Sequence, residues 1–233
     1  MSGIEVIGGV SMPSQAVFLD RDNTLIHDPG YLSNPADVHL IDGVSDGLKS
    51  LTGAGFKLVI VTNQAGVARG YFGENDTRAV NAEVIRQLSE AGVSIDAVYY
   101  CPYHPDGIVE PFNQEHPDRK PNPGMLLRAA KDMDIELARS WMIGDTARDA
   151  EAGKRAGCRT ICVISEEMSS ESPPPMPTTA AGIFRKPRPL FSAASRLKHH
   201  KFREKGVDGF RFLDKAHHKM VRCHVVKIAG VNQ

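Results

Sequence analysis

Asp20 and Asp22 stand two residues apart in Phe18-Leu19-Asp20-Arg21-Asp22-Asn23-Thr24, directly behind an apolar run. Two carboxylates so placed can turn into one pocket, where a cation relieves their repulsion; hard oxygen ligands suit Mg2+, which also takes water and phosphate oxygens. Val61-Thr62-Asn63-Gln64 sets a hydroxyl, an amide and backbone N–H groups behind a second apolar run, uncharged donors able to grip phosphate oxygens. Arg119-Lys120-Pro121 puts two cations on a loop stiffened by Pro121 and Pro123, where they can neutralise a phosphoryl group. Gly144-Asp145-Thr146 closes a further run, with Asp149 one turn into the next helix, and Asp145 can be a third carboxylate at the metal. Each stretch alone has a plainer account as a polar loop, a solvated basic pair or a helix cap. Those accounts leave the order unexplained: acid pair, hydroxyl, lysine, acid, each beside a strand end or a helix start.

The elements that must position these residues are readable from hydrophobic pattern. Ala16–Leu19, Phe56–Val61, Ile95–Tyr100, Trp141–Ile143 and Thr160–Ile164 are short continuous apolar runs, as buried parallel strands are. Val44–Thr52, Asp76–Glu90, Gly124–Met133 and Arg148–Ala156 have helical spacing, and Gly55, Gly92 and Gly157 stand where three of these helices stop. Strand and helix alternate with short joints, which predicts an α/β fold: a Rossmann-like, doubly wound parallel sheet with helices on both faces and no large cap domain. Ligands of such sheets bind beyond the carboxyl ends of the strands, where all the candidate residues fall.

Composition narrows the class. The 233 residues are 41% hydrophobic and 24% charged, which excludes collagen-like, mucin-like and wholly disordered chains. The formal net charge of zero conceals an acidic body, −9 over residues 1–167, and a basic C-terminal stretch, +9 over residues 168–233. Four dispersed cysteines read as reduced thiols, and no segment has the pattern of a signal peptide or a membrane span, so a cytoplasmic protein is expected. The domain is expected over residues 16–198, after an N-terminal extension at 1–15. It includes a Pro/Ser-rich linker at 168–180, then a short strand at Ala181–Phe184 and a closing helix from Leu190 to Leu197. Residues 199–233, with 8 basic side chains, 3 acidic ones and 5 histidines, are expected to form a poorly ordered basic tail; nucleic acid and membrane are not expected partners, and a monomer is.

The ordered set Asp20-x-Asp22-x-Thr24, Thr62, Lys120 and Gly144-Asp145-x-x-x-Asp149 resembles the four motifs of the haloacid dehalogenase superfamily of phosphotransferases. The likeness is closer still to the D-glycero-D-manno-heptose 1,7-bisphosphate 7-phosphatase and histidinol-phosphate phosphatase family. It is carried by Phe18-Leu19-Asp20-Arg21-Asp22, Pro29-Gly30-Tyr31, Ile41-Asp42-Gly43, Val61-Thr62-Asn63-Gln64, Ala68-Arg69-Gly70, Tyr99-Tyr100-Cys101-Pro102 and Arg119-Lys120-Pro121, across residues 16–165.

The resemblance implies a Mg2+-dependent phosphatase acting on a phosphorylated sugar, with heptose 1,7-bisphosphate yielding the 1-phosphate. Histidinol phosphate or another small phosphomonoester is the alternative substrate, and a catalytically silent phospho-ligand binder the alternative of another class. It implies Asp20 as nucleophile, Asp22 as general acid and then base, and Thr62, Lys120 and Arg119 as partners of the phosphoryl oxygens. Mg2+ is implied on Asp20, the backbone carbonyl of Asp22 and Asp145, with Asp149 orienting the cluster. Substrate contacts are implied at Arg21, Asp28, Pro29, Gly30, Tyr31, Asn63, Gln64, Ala65 and Arg119; the last is the candidate cation for a distal phosphate.

Three departures from the family pattern carry expectations. Asn23 replaces a usual glycine, and Asn tolerates left-handed backbone better than other side chains. Thr146 replaces a lysine that commonly follows the metal-binding aspartate, which removes a cation and weakens the case for a bisphosphate. Around the loop from Cys101 to Asp118 two thiolates of a structural zinc site are missing; a rearranged site of Cys101, His104, His116 and Asp118 is conceivable, but loss of zinc is expected.

Overall fold

The computed structural model describes residues 13–163 and three strands at 199–204, 207–214 and 219–224. The elements run β1 (Ala16–Leu19), α1 (Val44–Gly53), β2 (Lys57–Asn63), α2 (Ala65–Ala68), α3 (Glu74–Glu90), β3 (Ala97–Cys101), α4 (Gly124–Met133), β4 (Trp141–Gly144), α5 (Ala147–Ala156) and β5 (Arg159–Cys162), followed by β6 (His199–Glu204), β7 (Val207–Asp214) and β8 (Lys219–His224). Strands β1 to β5 are parallel and lie in the order β3-β2-β1-β4-β5. The order reverses between β1 and β4, so their carboxyl ends, at Leu19 and Gly144, flank the crevice where such sheets take ligands.

The continuous apolar runs resolve into two faces with period two. Val17 and Leu19 of β1 and Leu58 and Ile60 of β2 pack under α1 and α3 through Val44, Leu48, Val80, Val84 and Leu88. Ala16, Phe18, Val59 and Val61 face the other way, onto Met125, Leu126 and Ala129 of α4 and Ala152 and Ala156 of α5. Each fully buried Val, Leu, Ile or Phe contributes about 1.5–3 kcal/mol by leaving water, and both sides of the sheet collect such residues, which anchors the strand ends above them.

Two boundaries differ from expectation. The Ser14 N–H donates to the Asp134 carbonyl at 2.9 Å, the Glu136 N–H donates to the Ser14 carbonyl at 2.8 Å, and the Lys57 N–H donates to the Gln15 carbonyl at 2.9 Å. The domain therefore includes the end of the stretch assigned to an extension at 1–15, because those backbone groups are paired. The expected poorly ordered tail holds three strands: β6 and β7 pair antiparallel from His199↔Phe212 to Glu204↔Val207, and β7 and β8 from Gly209↔His224 to Asp214↔Lys219. β8 then meets β5 in parallel through Ile161↔His224. The alternations Phe210-Arg211-Phe212 and Val221-Arg222-Cys223 have strand period but span too few residues to read as sustained periodicity. The linker at 168–180, the strand at 181–184 and the helix at 190–197 lie outside the described residues.

Candidate active site

Asp20 leaves β1 with its N–H donated to the Ile143 carbonyl of β4 at 2.9 Å, which pins the first acid at the point of strand reversal. Its Oδ1 accepts from the Arg21 N–H at 2.8 Å and stands 2.8 Å from Lys120 Nζ. Lys120 Nζ also lies 2.6 Å from Asp149 Oδ1 and donates to the Val61 carbonyl at 2.8 Å. Both the lysine and Asp149 are almost wholly buried. Asn63 holds the lysine's backbone from both sides: its Oδ1 accepts from the Lys120 N–H at 3.0 Å, and its Nδ2 donates to the Lys120 carbonyl at 3.0 Å. One ammonium thus joins the ends of β1, β2 and α5.

The electrostatics follow from burial and crowding. Desolvation, then the charge of Asp149, pushes the Asp20 carboxyl up to about 7, with Lys120 opposing the shift. Burial and Asp149 likewise push Asp145 up to about 6. For Asp149 itself burial is outweighed by Lys120 and by two bonds to Thr146, from its N–H at 3.0 Å and its hydroxyl at 2.5 Å, so the carboxyl falls below its usual range. Lys120 would be pulled down by burial, but Asp149 and Asp20 hold it above the usual lysine value. Ligand oxygens of Asp20, Asp145 and Asp149 lie within 4.8 Å of one another. Hard oxygen donors around one point, two of them held partly protonated by mutual repulsion and burial, fit a small divalent cation such as Mg2+. Gly144 makes room for this arrangement, since a Cβ there would lie 2.4 Å from Asp149 Cγ.

Asp22 sits at the rim. Arg21 Nε donates to its Oδ1 at 2.8 Å, and Gln64 Nε2 donates to its Oδ2 at 2.9 Å and to Thr62 Oγ1 at 2.8 Å. Asn23 adopts φ 55°, the left-handed conformation that its replacement of glycine called for, and its Oδ1 accepts from the Asp28 N–H at 3.2 Å. Asp28 Oδ1 in turn accepts from the Gly30 and Leu32 N–H groups at 3.1 and 3.2 Å, shaping the Pro29-Gly30-Tyr31 loop.

A pocket of about 380 Å³ opens over this floor; Asp20, Asp22, Asp28, Gly30, Tyr31, Asn63, Gln64, Ala65, Arg119, Lys120, Asp145 and Asp149 line it. Three candidates do not. Arg21 is 1% exposed and spends its guanidinium on Asp22 and on Asn81 Oδ1, 2.7 Å away, so it braces Asp22 and does not reach the pocket. Thr62 lies fully buried beneath Gln64, and Pro29 is exposed beside the opening. Thr24 is buried without lining the pocket.

The four residues of the conceivable zinc site are engaged elsewhere. Cys101 is buried at the end of β3, and desolvation pushes its thiol up to about 11. His116 stacks on Tyr103 with ring centroids 4.0 Å apart, and Asp118 pairs with Arg128 at 2.6 Å. His104 turns to the pocket. Among the described residues, the only group of three or more His, Cys, Asp or Glu with ligand atoms so close together is Asp20, Asp145 and Asp149.

Sequence reading missed Arg69, Arg148 and the pocket role of His104, which line the cavity together with Arg119. Arg69 ends α2, Arg148 lies in the first turn of α5, and Arg119 precedes Lys120, its Nη1 donating to the Tyr103 carbonyl at 3.1 Å. Arg148 brings a cation back two residues beyond Thr146, where a lysine was missed. Burial and then Arg119 and Arg69 lower the His104 pKa; burial and then Arg148 lower that of Arg119. The quoted Ala68-Arg69-Gly70 was the one available signal. Among the described residues no helix is long and apolar enough to cross a membrane.

Comparison with known proteins agrees with this geometry. A family model described as HAD-hydrolase-like matches residues 118–181. A D-glycero-β-D-manno-heptose-1,7-bisphosphate 7-phosphatase from Mesorhizobium japonicum is 46% identical over 156 residues, 66% of this chain and 72% of its own. The enzyme of the same name from Escherichia coli is 43% identical over 149 residues, 64% and 78% of the two chains. The crystal structure of a D,D-heptose 1,7-bisphosphate phosphatase from B. bronchiseptica, complexed with magnesium and phosphate, superposes with TM-score 0.57 at 31% identity, covering 64% of this chain and 80% of that one. With its acid floor, its lysine bridge and these relatives, the chain is a phosphatase that belongs to the D-glycero-β-D-manno-heptose 1,7-bisphosphate 7-phosphatase family of HAD-like hydrolases.

Proposed function

We propose that the chain hydrolyses the 7-phosphate of D-glycero-β-D-manno-heptose 1,7-bisphosphate through an aspartyl-phosphate on Asp20. The observation that carries this reading is the position of Asp20: at the strand reversal, open to the pocket, and held 2.8 Å from a buried lysine that also binds Asp149.

An Asp20 carboxylate oxygen attacks phosphorus as the bond to the sugar oxygen breaks, and Asp22 delivers the proton that the departing oxygen needs. Water then attacks the acyl phosphate while Asp22 takes its proton, releasing inorganic phosphate and returning Asp20 to its carboxylate and Asp22 to its protonated form. Lys120, its backbone held by Asn63, fixes the nucleophile and places positive charge where phosphoryl oxygens gather charge. Arg21 and Gln64 keep Asp22 aimed at the opening. Asp20 and Asp145 would hold Mg2+, with Asp149 steadying them from beneath and the Asp22 carbonyl as a further ligand, and the ion when bound neutralises nucleophile and phosphate so that they can approach. Thr62 acts here through Gln64, whose amide it orients.

Phosphate release from the heptose bisphosphate, from histidinol phosphate and from a panel of phosphomonoesters, with Mg2+ present, tests the reading. The expected result is the highest kcat/KM on the heptose bisphosphate, with the sugar 1-phosphate as product by phosphorus NMR. A higher value on histidinol phosphate would transfer the assignment to that substrate, and no turnover on any ester would leave a phospho-ligand binder.

A further inference from the structure

Helix α3 buries one amide among its core-facing side chains. Thr77, Val80, Asn81, Val84 and Leu88 are its buried residues, and Asn81 is 6% exposed. Asparagine favours a helix less than leucine does, and a buried amide costs stability unless a partner meets it. The partner is Arg21, whose Nη1 donates to Asn81 Oδ1 at 2.7 Å. The same guanidinium turns its other edge to Asp22, Nε donating to Oδ1 at 2.8 Å and Nη2 to Oδ2 at 3.2 Å. A planar fork that grips both oxygens of a carboxyl fixes its plane as well as its position. Arg21 is anchored at its backbone too, where its carbonyl accepts the Leu25 and Ile26 N–H groups at 2.9 and 3.2 Å. Gln64 Nε2 adds a second donor to Asp22 Oδ2 at 2.9 Å. Oδ2 thus takes two of these donors and Oδ1 one, which leaves Oδ1 an acceptor position for a proton. Neither Asn81 nor Arg21 lines the pocket.

We propose that Asn81 is a positioning residue for phosphoryl transfer: through Arg21 it holds the Asp22 carboxyl in the orientation from which its proton reaches the departing oxygen. The inference rests on Asp22 as general acid, and it ties that acid to a helix residue outside the pocket. As the bond between phosphorus and the ester oxygen breaks, its electron pair goes to that oxygen. A sugar alkoxide must then take a proton, whereas p-nitrophenolate departs as a stable anion. Loss of orientation at Asp22 therefore slows sugar esters more than nitrophenyl esters.

The readout is a ratio: kcat/KM on p-nitrophenyl phosphate divided by kcat/KM on the sugar phosphate that the full-length chain turns over best, with Mg2+ present. A smaller folded fraction lowers both values and cancels. Asn81→Leu and Asn81→Ala remove the acceptor, the first keeping side-chain volume and the second avoiding any clash. Arg21→Lys keeps the charge but replaces the fork with an ammonium. Each is expected to raise the ratio roughly tenfold, the scale of one charge-assisted hydrogen bond. Asp22→Asn, which removes the acid itself, should raise it most. A rise in Asp22→Asn without one in either Asn81 variant overturns the positioning role and leaves the acid assignment standing. A rise in Arg21→Lys while folded Asn81 variants match wild type makes Arg21 sufficient and likewise overturns the part given to Asn81. An unchanged ratio in Asp22→Asn overturns the acid assignment and the positioning role together.

Discussion

At the floor of the pocket one lysine is shared by two acids: Lys120 is 2.8 Å from Asp20 and 2.6 Å from Asp149, and Thr146 caps the far oxygen of Asp149. At the rim, Arg69, Arg119 and Arg148 enter no ion pair among the described residues. The floor is buried and interlocked, so its groups are oriented before a substrate arrives, as chemistry at phosphorus requires. The rim is half-buried to exposed, so its charges persist unpaired and are available to a ligand. Within a single cavity, pairing marks the groups that react and its absence marks those that bind.

The strongest way to break that distinction is Asp20→Asn. An amide nearly conserves volume but cannot form an acyl phosphate, so kcat should fall by roughly 10⁴-fold or more while the thermal midpoint stays close to wild type. Residual turnover within tenfold of wild type would show that another group is the nucleophile.

Lys120→Met should strike stability as well as turnover. It removes the ammonium from a site where Asp20 and Asp149 are both buried, and breaking such a cluster by deleting one partner costs about 3–5 kcal/mol. Denaturant unfolding measures this directly. A loss below about 1 kcal/mol would mean that the floor is not interlocked as the distances indicate.

Much of this floor is legible in the sequence, because Asp20, Lys120, Asp145 and Asp149 each follow an apolar run or open a helix, and a parallel sheet gathers strand ends on one edge. Of the rim, only Arg119 beside the motif lysine is legible. A lone arginine at a helix end reads as solvated, and only the fold brings Arg69, Arg119 and Arg148 to one wall. Short elements escape for a related reason: α2 is four residues long and leaves no helical period to detect. Arg21 misleads in the opposite sense, since a charge beside a nucleophile suggests substrate contact, whereas burial commits it to Asp22 and Asn81. His104 was legible as a candidate ligand, but its neighbours Arg69 and Arg119 make its surroundings cationic.

A gentler test of the floor uses pH and metal. Without a cation, folding raises Asp20 to about 7 and Asp145 to about 6 from an ordinary value of 3.8. The folded state then binds more protons than the unfolded chain between about pH 4 and pH 7, so metal-free stability falls as pH rises through that window. Asp149, lowered by folding, contributes stability that is present above the usual carboxylate range and is lost only as pH falls through its own depressed value. Mg2+ competes with those protons, so the rise in thermal midpoint produced by saturating Mg2+ should be larger at pH 8 than at pH 5. A shift that is equal at both pH values would separate metal binding from the acid trio.

The smallest expected effect comes from removing residues 199–233, and it sharpens the comparison by asking whether cations beyond the rim act on the substrate. That stretch carries 8 basic and 3 acidic side chains, so it is another concentration of positive charge in the chain. Its strands pair with one another and reach the phosphatase sheet through the single pair Ile161↔His224, on β5 at the edge away from β1 and β2. Every group assigned to the floor or the rim lies between Asp20 and Asp149. Truncation after Lys198 should therefore change kcat/KM on a bisphosphate less than about threefold. A small fall in thermal midpoint is consistent with baring the outer side of β5. A loss in kcat/KM beyond about tenfold, equivalent to roughly 1.4 kcal/mol of transition-state stabilisation, would place basic residues of the C-terminal strands in the substrate's path.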